Sequence, residues 1–210
     1  LRRYLAYLQT LKYSRTSVAR KVASLRTFFK FLKPENYLAA NPALLLIIPK
    51  LKKRLPRSLE FDAVKDLLEA PDLEATFGQR DKAILETLYG TGIRVGELVG
   101  LNITSLDFLQ NWIKVFGKGS KERIVPINQV ALSFIQKYLA SSRGMLLRRG
   151  DRDDEERALF INSRGTRLSD GGVRRMINKY VRRMSLNRKV SPHVLRHTFA
   201  THLLEAGADL

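Results

Sequence analysis

Two hydrophobic periods alternate along this chain, and their order outlines its architecture. Over residues 1–11 the apolar positions Leu1, Leu5 and Leu8 recur at helical spacing with arginines between them. The stripe Val18, Val22, Leu25, Phe29 and Leu32 defines a second and clearer helix, with Ser14 placed to cap its start. Pro34, Asn41-Pro42 and Pro49 punctuate the next stretch, and residues 50–57 are short, basic and proline-containing, the composition of a linker between domains. Beyond it, residues 59–69 and 79–89 read as helices, the second ended by Gly90-Thr91-Gly92. The period then changes to two. Residues 112–116 and 122–127 alternate around Gly117-Lys118-Gly119-Ser120-Lys121, the pattern of a β-hairpin with a glycine-rich basic turn. Helix returns over 130–147, a charged loop spans 151–157, Phe160-Ile161 suggests a short strand, and 168–184 is again helical. Ser191-Pro192 opens the last helix with a capping hydroxyl and a first-turn proline. The expectation is a mainly α chain with a small β-hairpin or sheet (α+β), in two domains, 1–49 and 58–210.

Composition adds a partner. With 210 residues and 44% of them hydrophobic, the chain can bury a real core. Lys and Arg number 38 against 20 Asp and Glu, a formal charge of +18 that points to a polyanion. The basic residues are spread along the whole chain and not gathered beside one apolar anchor, so nucleic acid fits better than a membrane surface. The longest apolar run, residues 43–48, is closed by Pro42 and Pro49 and is far short of a membrane span. The first residues lack the apolar core and cleavage site of a signal peptide, and the absence of cysteine excludes disulfides and thiolate metal sites. These features fit a cytoplasmic protein.

Three sites attract chemical attention: Arg94 just after the glycine turn, Lys118 at the hairpin tip, and His193 and Arg196 near the start of the last helix. Alone, each has an ordinary structural explanation: a surface arginine, a solvated lysine, a helix cap. His193 and Arg196, three apart, share one helix face close to its positive end. Together, two guanidiniums, an ammonium and an imidazole suffice for phosphoryl transfer without a metal. Arginine bridges two phosphate oxygens, lysine delivers a proton to a departing alkoxide, and histidine accepts or shares one. Two-metal chemistry would need converging carboxylates, whereas Asp151, Asp153, Asp154, Glu155 and Glu156 read as a solvated loop. His193 and His197 have zinc-like spacing but lack the glutamate of His-Glu-x-x-His. No cofactor and no metal are expected.

At these residues the chain resembles a known family. Thr91-Gly92-Ile93-Arg94-Val95-Gly96-Glu97-Leu98, Gly117-Lys118-Gly119-Ser120-Lys121-Glu122-Arg123 and the run from Ser191 to His202 look like the three ordered signatures of tyrosine site-specific recombinases of the phage-integrase type, nearest to the Xer group. The resemblance implies a partial helical, SAM-like core-binding domain over 1–49, a linker over 50–57, and a catalytic domain over 58–210 that lacks its C-terminal end. It implies that Arg94 and Arg196 hold the scissile phosphate, that Lys118 protonates the 5′-hydroxyl leaving group, and that His193 assists proton transfer. It also implies that a tyrosine forms a 3′-phosphotyrosyl intermediate, and that four like or unlike recombinases act on two duplex DNA sites. DNA contacts are expected from Arg15, Thr16, Arg20, Lys21, Ser24, Thr27, Lys121 and Arg123. None of the seven tyrosines comes after the His193 motif, so none takes the nucleophile's role by resemblance. Chromosome-dimer resolution and mobile-element integration both fit, and a noncatalytic DNA-binding relative is the reading from another class. A type IB topoisomerase is disfavoured by the helices before the linker.

Overall fold

A computed structural model describes residues 1–32, 37–38, 40–47, 58–117, 121–147, 157–184 and 190–208. The chain divides into two compact units, Leu1–Leu55 and Pro56–Leu210.

In the first unit, α1 (Arg2–Thr10) and α2 (Arg15–Leu32) are joined by a turn in which Lys12 takes a positive φ of 53°. Ser14 does cap α2, its Oγ accepting the Ser17 N–H at 3.1 Å. The α2 stripe turns inward. Val18 and Val22 are buried with Leu8, Ala43 and Leu46, and Leu25 and Phe29 pack around them. Each fully buried aliphatic side chain contributes roughly 1.5–3 kcal/mol, so this small cluster accounts for the pairing of the two helices.

The second unit is built around α4 (Gly78–Thr91), which packs against α3 (Phe61–Glu69), α6 (Gln129–Ala140) and α9 (Pro192–Glu205). Nearly all of α4 is buried, including Arg80, Asp81, Lys82 and Glu86. Such charges tolerate burial only when paired and hydrogen-bonded. Arg80 pairs with Asp81 at 2.6 Å and donates to the Ile161 carbonyl, while Lys82 pairs with Glu86 at 2.8 Å and donates to the Leu68 carbonyl. The short α5 (Val95–Val99) and a 3₁₀ turn (Ile103–Ser105) lead into an antiparallel sheet of β1 (Leu106–Asp107), β2 (Trp112–Phe116) and β3 (Glu122–Pro126). Trp112 opposes Pro126 and Phe116 opposes Glu122, so the expected hairpin forms in register. Ile113 and Val115 point into the core, which explains the alternation.

The expected α+β architecture is present, with three local differences. The helix expected over 130–147 breaks at Ser141 into α6 and α7 (Ser142–Leu147). Ser141 leaves helical geometry at φ −119°, ψ −85°, and its hydroxyl folds back on the Lys137 carbonyl at 2.7 Å. Phe160-Ile161 does not extend into a ladder. Ile161 makes one isolated bridge to Arg167, because Asn162 closes a tight loop through the Thr166 N–H and Thr166 Oγ1. The two-residue β1 adds an edge strand. Helix α8 (Asp170–Arg183) begins after Ser169, whose hydroxyl accepts the Gly172 N–H at 3.2 Å. The linker expected at 50–57 and the acidic residues of the 151–157 loop lie outside the described residues.

Candidate active site

The site forms where the ends of α4 and β3 meet the start of α9. Helix α4 stops at Gly92, which takes the left-handed conformation at φ 59° and ψ 21°, a region costly for any residue with a Cβ. The ring of Phe199, from α9, fills the space into which a Cβ at this position would project. The chain then turns so that Arg94, extended at φ −73° and ψ 150°, becomes the N-cap of α5. Three residues on, Glu97 reaches back to the Arg94 N–H at 2.8 Å, the reciprocal half of a capping box.

Glu97 does more than cap. Its side chain is 5% exposed, and its carboxylate receives the Arg94 guanidinium at 3.2 Å and both terminal nitrogens of Arg123, from β3, at 2.7 and 2.8 Å. The Arg123 fork, aided by Arg94, overcomes the cost of burial and holds the Glu97 carboxyl down at about 2. Glu97 in turn raises the Arg123 pKa through the same hydrogen bonds. The Arg94 side chain remains 59% exposed, so one edge of its guanidinium is braced and the rest faces solvent.

On the other side, Ser191 caps α9, with its Oγ accepting the Val194 N–H at 3.4 Å and Pro192 in the first turn. This register puts Arg196 over the end of α4, where it donates to the Gly92 carbonyl. Burial, then the like charge of Arg94, pushes the Arg196 guanidinium down, with Arg123 adding to the effect and Glu97 opposing it. The result is an open pocket of about 490 Å³ lined by Gly92, Arg123, His193, Arg196 and His197 among others. Beside it, Arg94 and Arg123 hold the buried Glu97 carboxylate, and with Arg196 close by the region is positive and rich in donors.

The structure therefore brings Arg94, Arg123, His193 and Arg196 into one region. Lys118 lies outside the described residues, although its hairpin leaves from the strand that carries Arg123, and Gly117 and Lys121 pair at its base at 2.8 Å. Lys121 is exposed, whereas Arg123 is committed to Glu97. On α2, Arg15, Thr16, Arg20, Ser24 and Thr27 are exposed. Arg20, Lys21 and Ser24 border a shallow concavity, with the Lys21 ammonium 5.1 Å from the centre of the Tyr13 ring. The hydroxyls of Ser24 and Thr27 fold back onto the carbonyls of Arg20 and Ala23.

Sequence reasoning missed Glu97 as a site residue. The available signal was the Arg94-x-x-Glu97 spacing, a capping-box position just after a glycine stop. The second unit's tyrosines are all engaged elsewhere. Tyr89 meets His202, Tyr138 accepts the Ile161 N–H, and Tyr180 donates to Asp81, with burial raising the pKa of each.

Known proteins resemble this chain in sequence and fold. Residues 57–210 match the phage integrase family and residues 1–36 its N-terminal SAM-like domain. The chain belongs to the phage integrase family, the tyrosine recombinases. Within it, the chain is similar to Xer proteins. It is 47% identical over 209 residues to "Tyrosine recombinase XerC" of Pelotomaculum thermopropionicum, covering 100% of this chain and 68% of the relative. It is 41% identical over 207 residues to "Tyrosine recombinase XerD" of Halalkalibacterium halodurans, covering 99% and 68%. The crystal structure of XerA recombinase superposes with a TM-score of 0.64 at 32% identity, covering 99% of this chain and 69% of that one.

Proposed function

We propose that this chain is the DNA-binding and phosphate-activating part of a site-specific recombinase that cuts and rejoins duplex DNA. The observation that carries this reading is the convergence of Arg123, His193 and Arg196 on one open pocket, with Arg94 held beside it on the buried Glu97 carboxylate that also binds Arg123. In this reading Arg94 and Arg196 each hold nonbridging oxygens of the scissile phosphate, and their fixed donors stabilise the charge that builds as phosphorus becomes five-coordinate. A tyrosine oxygen bonds to phosphorus while the bond to the 5′ oxygen breaks. Lys118 gives that oxygen a proton, and His193 accepts or shares the tyrosine's proton. The 5′-hydroxyl of a partner strand later reverses these steps on the 3′-phosphotyrosyl ester, so no external energy source is consumed.

The first unit, as a core-binding domain, grips the duplex through Arg15, Thr16, Arg20, Lys21, Ser24 and Thr27, and Lys121 adds contacts from the hairpin. The second unit is the catalytic domain. Four protomers on two sites, working in the cytoplasm, complete the proposal, and resolution of chromosome dimers is the biological task that the likeness to XerC and XerD proteins supports. Arg196→Ala in the whole protein tests it. Cleavage should fall by about 10²–10³ while duplex affinity changes little, since one arginine among many basic contacts acts mainly on the transition state. Equal loss of both would reduce Arg196 to an anchor and favour a noncatalytic DNA-binding protein.

A further inference from the structure

Helix α9 has a second working face. At ~100° per residue, Thr198 lies roughly 200° round the helix from Arg196, and His202 stands one turn beyond Thr198 on the same side. Both grip one buried residue. The Leu59 N–H donates to Thr198 Oγ1 at 3.0 Å, and the Leu59 carbonyl oxygen lies 3.0 Å from His202 Nε2. A carbonyl cannot donate, so Nε2 carries a proton, and in the neutral imidazole Nδ1 is then the acceptor. In that form Nδ1, 2.9 Å from the Tyr89 hydroxyl, accepts its proton. Burial and the nearby Glu86 carboxylate push the Tyr89 phenol up, which keeps it a donor. The Thr198 hydroxyl proton goes to the Val194 carbonyl at 2.9 Å, so these side-chain donors and acceptors all have partners.

Tyr89 stands three residues before Gly92, and Gly92 is the residue whose carbonyl Arg196 holds. The last turn of α4 is thus bound by both faces of α9: at Tyr89 through His202, and at Gly92 through Arg196. Rotation or sliding of α9 against α4 breaks one set or the other. We propose that His202, with Thr198, is a positioning residue that fixes the rotation and height of α9 and thereby aims Arg196 and His193 at the scissile phosphate. This rests on the recombinase reading above. A misplacement of about 1 Å at a reacting centre can cost on the order of 10²-fold in rate, so loss of the lock should act on chemistry more than on DNA affinity.

The test uses the whole protein on nicked duplexes that trap the covalent protein–DNA adduct, with single-turnover rates at saturating DNA and duplex affinity measured side by side. His202→Ala is expected to slow adduct formation by about 10–100-fold and to change affinity by less than about threefold. His202→Gln, whose amide nitrogen replaces Nε2 towards the Leu59 carbonyl, should recover most of the rate. His202→Asn, whose amide reaches only the Nδ1 position, should not. If the alanine variant fails to fold, the glutamine and asparagine variants decide, and equal rates for these two overturn the proposal. So does an alanine variant that reacts at the wild-type rate, or that loses affinity in proportion to rate. In long-range ¹H–¹⁵N spectra, His202 is expected to be protonated at Nε2 with Nδ1 an acceptor; the opposite tautomer overturns the lock by itself. Wild-type protein that forms no adduct refutes instead the recombinase reading beneath it.

Discussion

Replacing Glu97 is the most informative perturbation of the site, because one buried carboxylate holds both Arg94 and Arg123. It receives the Arg94 N–H, the Arg94 guanidinium and both ends of the Arg123 fork. Its carboxyl is lowered from 4.5 to about 2 by these partners, a difference worth about 3 kcal/mol between the charged and neutral forms. Because the folded value is the depressed one, this stabilisation is fully present above about pH 4.5, fades as the pH falls, and is gone below about pH 2. Arg94 and Arg123 are 59% and 39% exposed, so water takes over part of their solvation when the carboxylate is removed. Glu97→Ala is therefore expected to cost about 2–3 kcal/mol, below the 3–5 typical of a fully buried broken pair. Glu97→Gln, which keeps the shape and the Arg94 cap but not the charge, should cost about half as much. Urea unfolding at pH 7 and at pH 3 measures this, and the gap between wild type and Glu97→Gln should shrink at pH 3. Adduct formation should fall by more than stability alone explains, since Arg94 and Arg123 lose their brace. A glutamine variant as stable and as active as wild type at pH 7, with an unchanged acid profile, would refute the reasoning.

Other perturbations address separate links. Gly92→Ala places a Cβ closer than 3.0 Å to the edge of the Phe199 ring at a positive φ, so it should lower the melting temperature and adduct yield together, while Gly96→Ala, where a Cβ meets nothing within 4 Å, should leave both near wild type. Ser191→Ala removes the cap of α9 and should cost about 1 kcal/mol in urea unfolding, with Ser191→Thr largely restoring it. Duplex affinity should fall steeply with salt, log Kd changing by about 0.9 per log unit of salt for each phosphate neutralised; a flat response in fluorescence anisotropy would sink the DNA reading.

The local rules were legible in the chain. The Val18–Val22 stripe, the Ser14 and Ser191 caps, the Gly92 stop and the two alternating hairpin strands all arise from periods and caps within a few residues. Long-range pairing was not. Arg123 reads as one more basic residue of a basic hairpin, and nothing nearby announces that its partner is Glu97, 26 positions away on another element. The burial of Arg80, Asp81, Lys82 and Glu86 was equally hidden, because beyond their pairing within the helix Arg80, Lys82 and Asp81 are completed by Ile161, Leu68 and Tyr180 from other segments. The break at Ser141 was invisible because serine is compatible with a helix, and here its hydroxyl meets both the Lys137 carbonyl and the distant Gln79 side chain as the backbone leaves helical geometry. For the same reason, His202 looked like an ordinary member of a helix until the fold brought Leu59 and Tyr89 to its two nitrogens.

The central claim is that this pocket activates a phosphate for attack by tyrosine. The most direct measurement incubates the whole protein with a library of nicked duplexes, separates covalent adducts under denaturing conditions, and identifies the DNA-linked peptide by mass spectrometry. A 3′-phosphotyrosyl linkage is expected, sharply reduced in Arg94→Ala and Arg196→Ala proteins that still bind duplex. Tight duplex binding with no covalent product on any sequence, or an adduct indifferent to both arginines, would contradict it.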